Sequence, residues 1–273
     1  MRQFELKATL AALTLLGTAA CGPRHHPAPA DQKSPGERLP GRHPAGAAWP
    51  SVGLMTAFDQ CSGVIVRHGL FLTAKHCVAW TRGVAKPDLR LSFPAKGTEG
   101  AERDEIHVEK EAISAVELVD GHDLAIIRYD AAVTEKKVPL AVEKVADDRP
   151  PVGATLLLIS YPSNRTAEPI RVVSPPCHTK NLFGPMSGAL ASTYEGSLLG
   201  TDCIAWWGSS GAPVFLADAD HPDQPLELLG VVSHSFDVDE KGNPLPGILG
   251  SDQFGEYAES SNIAPAWLIK ERL

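Results

Sequence analysis

Three short segments of the chain hold residue types that could transfer an acyl group to water. They are Phe71-Leu72-Thr73-Ala74-Lys75-His76-Cys77, Gly121-His122-Asp123-Leu124-Ala125-Ile126-Ile127 and Gly208-Ser209-Ser210-Gly211-Ala212-Pro213. A serine hydroxyl is a poor nucleophile at neutral pH and needs a base within hydrogen-bond reach, for which imidazole has a suitable pKa. The imidazole needs a carboxylate to fix its tautomer and to stabilise its cation, and the developing oxyanion needs preorganised N–H donors. The three segments offer a candidate for each task. Each also has a plain structural reading: a core histidine, a solvated turn acid, a serine in a turn. The Gly-x-Ser-Gly frame favours Ser210 over its neighbour Ser209, and His122 is read as a bystander beside Asp123.

Such side chains need a scaffold, and the rest of the chain reads as short strands. Strand-like runs cover Ser51–Thr56, Ser62–Arg67, Leu70–Ala74, Leu89–Phe93, Ile113–Leu118, Leu124–Tyr129, Thr155–Ser160, Arg171–Val173, Ala212–Leu216 and Leu226–Val232. Turn residues separate them, as the 23 prolines and 24 glycines suggest. Regular short strands without a βαβ rhythm predict an all-β sandwich or barrel. Residues Ala264 to Leu273 place Trp267, Leu268 and Ile269 among charges, which predicts a short C-terminal helix packed by one face. The 273 residues suit one large or two small domains. A net charge of −8 with no Lys/Arg stripe argues against a nucleic-acid partner.

The N-terminus reads as an export signal over residues 1–20. Arg2 and Lys7 flank an apolar stretch from Ala8 to Ala20, shorter than the roughly 20 residues that span a bilayer. Thr18, Ala19 and Ala20 precede Cys21, an arrangement similar to a bacterial lipoprotein signal, in which that cysteine carries the lipid. Thr18 stands where such signals prefer Leu, so ordinary secretion with a cut near Ala20 is the alternative. The chain has 5 cysteines, and an odd count in an exported protein leaves one over. Cys21 is the natural odd one, leaving four to form two bridges in an oxidising compartment. Residues 21–48, rich in proline, read as a disordered tether, and His25 and His26 there hint only weakly at a metal. The expected domain covers residues 49–273.

Taken together, the three segments resemble the His, Asp and Ser motifs of chymotrypsin-like serine proteases, in that chain order. Thr73-Ala74-Lys75-His76-Cys77 resembles Thr-Ala-Ala-His-Cys, Asp123-Leu124-Ala125-Ile126-Ile127 resembles Asp-Ile-Ala-Leu-Leu, and Gly208-Ser209-Ser210-Gly211-Ala212-Pro213 resembles Gly-Asp-Ser-Gly-Gly-Pro. The likeness spans about residues 50 to 271 and leaves no room after it for a peptide-binding domain. It implies an all-β fold of two six-stranded antiparallel β-barrels, at about 49–140 and 150–262, with a short C-terminal helix. It implies a serine endopeptidase acting through an acyl-enzyme, with a polypeptide substrate, no cofactor, no metal and a monomeric state. Ser210 would be the nucleophile, His76 the base, Asp123 its orienter, and the Gly208 and Ser210 amides the oxyanion hole. Cys61 would pair with Cys77 and Cys177 with Cys203. No Cys-x-x-Cys pair supports reading the same cysteines as a metal site.

Departures from the digestive enzymes matter. Ser209 stands where their aspartate receives a freed N-terminal amine, so that route of activation is not expected. Ile204 occupies the position of the trypsin pocket aspartate, which disfavours cleavage after Lys or Arg. Ser233 and His234 fall on the strand resembling the pocket wall; His234 could read an acidic side chain or be a loop histidine. Trp206 and Trp207 could narrow the pocket or simply pack. Ser160-Tyr161-Pro162 resembles Gly-Tyr-Pro of the bacterial branch that holds glutamyl endopeptidases. Two other readings stay open: a non-catalytic binding protein on a protease fold, and, less favoured, an esterase, whose Gly-x-Ser-x-Gly elbow would need glycine where Ala212 stands.

Overall fold

The β-branched and large apolar runs form strands because both of their faces are covered. Thr155–Ser160 shows the principle: Leu157 and Ile159 enter one buried cluster while Leu156 and Leu158 enter another. Leu124 and Ile126 alternate in the same way with Ala125 and Ile127. Successive side chains of a strand point to opposite faces, so a strand between two cores reads as a continuous apolar run. Among the described residues there are accordingly three cores. One lies inside each half, and the third joins Val64, Leu72 and Ile126 of the first half to Leu157, Phe215 and Val231 of the second.

The computed structural model describes residues 43–44, 49–56, 60–79, 89–93, 106–140, 142, 144–161, 171–181, 198–206, 208–218, 225–236, 257–258 and 260–273. The expected signal, Cys21, nearly all of the tether, His25, His26, Pro162 and Trp207 lie outside them. In the first half run β1 (His43–Pro44), β2 (Val52–Thr56), β3 (Gln60–Arg67), β4 (Leu70–Thr73), β5 (Arg90–Phe93), β6 (Ile106–Val108), β7 (Ile113–Leu118) and β8 (Ala125–Tyr129). The second half adds β9 (Thr155–Ser160), β10 (Val172–Val173), β11 (Cys177–Lys180), β12 (Leu199–Thr201), β13 (Ala205–Trp206), β14 (Pro213–Ala217), β15 (Pro225–Phe236), β16 (Tyr257–Ala258) and β17 (Ser260–Pro265).

Among the described residues the first sheet is antiparallel in the order β6-β5-β2-β3-β4-β8-β7. The second runs β1-β10-β9-β11-β12-β17-β15-β14, and a β9–β14 pairing closes β9, β11, β12, β17, β15 and β14 into a ring. The all-β, two-barrel expectation therefore holds. At the edge of the second sheet, His43 and Pro44 pair with Val173 and Val172.

The C-terminal helix is shorter and tighter than expected. Ala264 and Pro265 still belong to the sheet, opposite Val231 and Gly230. Only Ala266–Arg272 turns, in 3-10 form, with Ile269 out of helical geometry. Its Arg272 reaches Glu117 of the first barrel at 3.0 Å, so the chain end bridges both halves. Both expected disulfides are present, Cys61–Cys77 and Cys177–Cys203. The first closes a separation of 16 residues, a constraint worth about 3 kcal/mol in the chain-entropy view.

Candidate active site

His76 opens a single helical turn, α1 (His76–Ala79), directly after β4, and the Cys61–Cys77 bridge pins that turn to β3. Asp123 sits in the turn between β7 and β8, where the Val119 amide donates to the Leu124 carbonyl at 3.0 Å. The two residues meet twice. The His76 backbone amide donates to Asp123 Oδ1 at 2.9 Å, and ring Nδ1 stands 2.8 Å from Oδ2. Asp123 is only 2% exposed, against 29% for the histidine ring. The carboxylate thus sits inside, and the imidazole reaches toward the surface.

Burial on its own pushes the Asp123 carboxyl up. The neighbouring His76 charge and hydrogen bonds from the His76 ring, the Ser233 hydroxyl and the His76 amide outweigh it, so the carboxyl titrates below its ordinary range. Ser233, expected along the pocket strand, turns its hydroxyl away to donate to Asp123 Oδ2 at 2.6 Å. The network continues behind it. His234 Nδ1 lies 3.4 Å from Ser233 Oγ, and Asn262 Nδ2 lies 2.6 Å from His234 Nε2. The one Ser233 hydrogen goes to Asp123, so Nδ1 donates to Ser233 and Nε2 accepts from Asn262. Asn262, in β17, escaped sequence reasoning because its partner sits 28 residues away.

Lys75 replaces a small residue of the motif and is nearly buried, 8% exposed. Its Nζ donates to the Val119 carbonyl at 3.1 Å, tying the histidine segment to the aspartate turn. Burial, and secondarily the Lys75 charge, hold His122 below the usual histidine range.

Ser210 lies in the turn before β14, half-buried. Its carbonyl accepts from the Ser62 amide of β3 at 2.8 Å. Gly211 follows with φ of +78°, and a Cβ there would lie 2.2 Å from Thr73 Oγ1 and 2.9 Å from the Ala74 amide. Only glycine lets the serine turn press so closely on the segment leading to His76. Gly208 also adopts the left-handed region, with φ of +85°. Ser209 is fully buried; its Oγ accepts from the Trp206 amide at 3.0 Å, while its own amide donates to the Trp206 carbonyl at 2.9 Å. A neutral hydroxyl thus holds the loop where digestive enzymes use a charge. The Gly211 and Ala212 amides go to Val232 and Ser209 carbonyls. Among the described residues the Gly208 and Ser210 amides have no acceptor.

Ile204 is half-buried between the disulfide-bonded Cys203 and β13. The cluster Cys61, His76 and Cys77 is the one group of metal-capable side chains among the described residues. Its cysteines are joined to each other and offer no thiolate.

The trypsin-like peptidase domain matches residues 61–220, more than half of the chain. The chain belongs to the trypsin-like peptidase family. No curated protein matches it in sequence. Among solved structures it is similar to the scabies mite inactivated protease paralogue S-I1, with 17% identity, a TM-score of 0.54, and 85% of this chain and 97% of that one covered. It is also similar to an inactive form of Rv3671c from M. tuberculosis H37Rv (15% identity, TM-score 0.48, 81% and 84% covered). A third likeness is to Deg5 (19% identity, TM-score 0.46, 67% and 79% covered). At these identities the likeness to the mite protein speaks for the fold alone. The family match supports a serine protease in general, and the two disulfides suit an oxidising compartment.

Proposed function

We propose that the protein is a serine endopeptidase using Ser210, His76 and Asp123 through an acyl-enzyme. The observation that carries this reading is the doubly bonded His76–Asp123 pair, its carboxylate buried and its ring partly exposed, with the Ser210–Gly211 turn packed against the segment that leads to His76. Asp123 accepts from Nδ1, which leaves Nε2 as the basic nitrogen. Nε2 takes the Ser210 proton as Oγ attacks the scissile carbonyl. The imidazolium formed is stabilised by a carboxylate that its surroundings keep ionised. It then protonates the leaving amine, and water repeats the sequence on the ester. The Gly208 and Ser210 amides receive the oxyanion.

Ile204 offers no counter-charge to a basic side chain, so the primary pocket prefers uncharged or acidic residues. The protein works outside the cytoplasm as a monomer, exported by residues 1–20 and held by a lipid on Cys21. Radiolabelled palmitate incorporated by the intact chain and lost in Cys21→Ala supports the anchor. A peptide-library cleavage profile tests the main reading. Turnover by the wild type, absent in Ser210→Ala and not centred on Lys or Arg, is expected. A wild type that binds peptides without cleaving any contradicts it and favours a binding protein.

A further inference from the structure

We propose that Ser62 is a positioning residue for the oxyanion hole, holding the nucleophile loop from the opposite barrel; this rests on the endopeptidase reading above. Ser62 belongs to β3 of the first barrel and is fully buried. Its Oγ donates to the Gly208 carbonyl at 2.8 Å and accepts from the Tyr161 amide at 2.9 Å. Its own amide donates to the Ser210 carbonyl at 2.8 Å. These partners lie in separate stretches of the second half, 146 and 99 residues away for the two side-chain bonds. A fourth bond completes the junction: Thr73 Oγ1, three residues before His76, donates to the Ser62 carbonyl at 2.8 Å.

A buried serine in a strand is commonly satisfied by its own neighbourhood, but this one is not. A hydroxyl has one hydrogen to give, and here that hydrogen points at Gly208. Turning that hydrogen away would leave the Gly208 carbonyl without its donor in the interior. Gly208 needs such a restraint, because glycine has access to more backbone conformations than any residue with a Cβ. Gly208 and Ser210, whose amides are proposed to receive the oxyanion, thus have their carbonyls held by one residue of the opposite barrel. Ser62 and the buried Ser209 together fix with neutral groups a loop that lacks a charged anchor.

The test compares Ser62→Ala with wild type on a peptide anilide chosen from the cleavage profile. The donor amides are displaced rather than removed, so kcat falls by about 10- to 100-fold while KM stays within about twofold. Affinity for a peptidyl trifluoromethyl ketone, whose hemiketal mimics the oxyanion, falls by the same factor as kcat/KM. Ser174→Ala removes another buried hydroxyl, one that donates to the Pro175 carbonyl. It lowers Tm comparably and leaves kcat unchanged. If Ser62→Ala does not fold, Ser62→Thr and Ser62→Val replace it: nearly the same shape, with and without the hydroxyl. Thr retaining turnover that Val loses supports the proposal. Unchanged kcat and ketone affinity in Ser62→Ala, or equal turnover by Thr and Val, overturns it. A wild type without turnover overturns the endopeptidase reading itself, whereas an active wild type matched by Ser62→Ala defeats this inference alone.

Discussion

The two ends of the proposed triad are built from different materials. At the acid–base end, charge does the holding: the Asp123 carboxylate accepts from the His76 ring, the His76 amide and Ser233, and the Lys75 ammonium binds the Val119 carbonyl behind it. At the nucleophile end, neutral hydroxyls do it: Ser62 holds Gly208, and Ser209 holds Trp206. Charged contacts are stronger and respond to pH; hydroxyl contacts are weaker and do not titrate in the working range. The acid–base end should therefore fail on acidification while the nucleophile loop keeps its shape.

Removing charge from the acid–base end should have the largest effect. Asp123→Asn cannot fix the same His76 tautomer, so kcat should fall by about 10,000-fold with little change in fold. A loss under about tenfold in steady-state kinetics would place the orienting group elsewhere. At the other end, Ser209→Ala leaves the Trp206 amide without its acceptor and should cost about 1–3 kcal/mol in denaturant titration. That cost should be constant between about pH 5 and 8, because nothing in the contact ionises there.

Asp123 behaves oppositely. Its folded-state pKa is depressed, so its contribution is complete above the unfolded value of about 4 and fades as pH falls through the folded one. His122, held low chiefly by burial, adds a loss that begins higher, as pH drops below about 6.5, because the unfolded chain then binds the proton more readily. Lys75→Met sharpens the contrast with the smallest effect. Without the Lys75 charge, the His122 pKa should rise toward, yet stay below, its ordinary value, since burial remains. NMR titration of the His122 ring reads this shift, and an unmoved midpoint would remove Lys75 from its electrostatic role.

What could be read from the sequence depended on whether the deciding contact was local. The three motifs were legible because each carries its chemistry within seven residues or fewer. Ile113–Leu118 and Thr155–Ser160 were read with their observed bounds. β11, β12 and β17 were not read. Cys-His-Thr-Lys, Leu-Gly-Thr and Ser-Ser-Asn-Ile-Ala-Pro hold few large apolar residues, and their strand state comes from neighbours in the closed ring. Ser62 and Asn262 were missed for the same reason: their partners lie far along the chain. A hydroxyl directly before the apolar Gly63-Val64-Ile65-Val66 run was the available signal for Ser62.

If Ser210 is an activated nucleophile, adduct mapping will locate it. The protein is incubated with a fluorophosphonate, digested, and the adduct located by mass spectrometry. A single adduct on Ser210 is expected, absent from Ser210→Ala and formed far more slowly in His76→Ala. An adduct on Ser209, or undiminished labelling of Ser210→Ala, would contradict it.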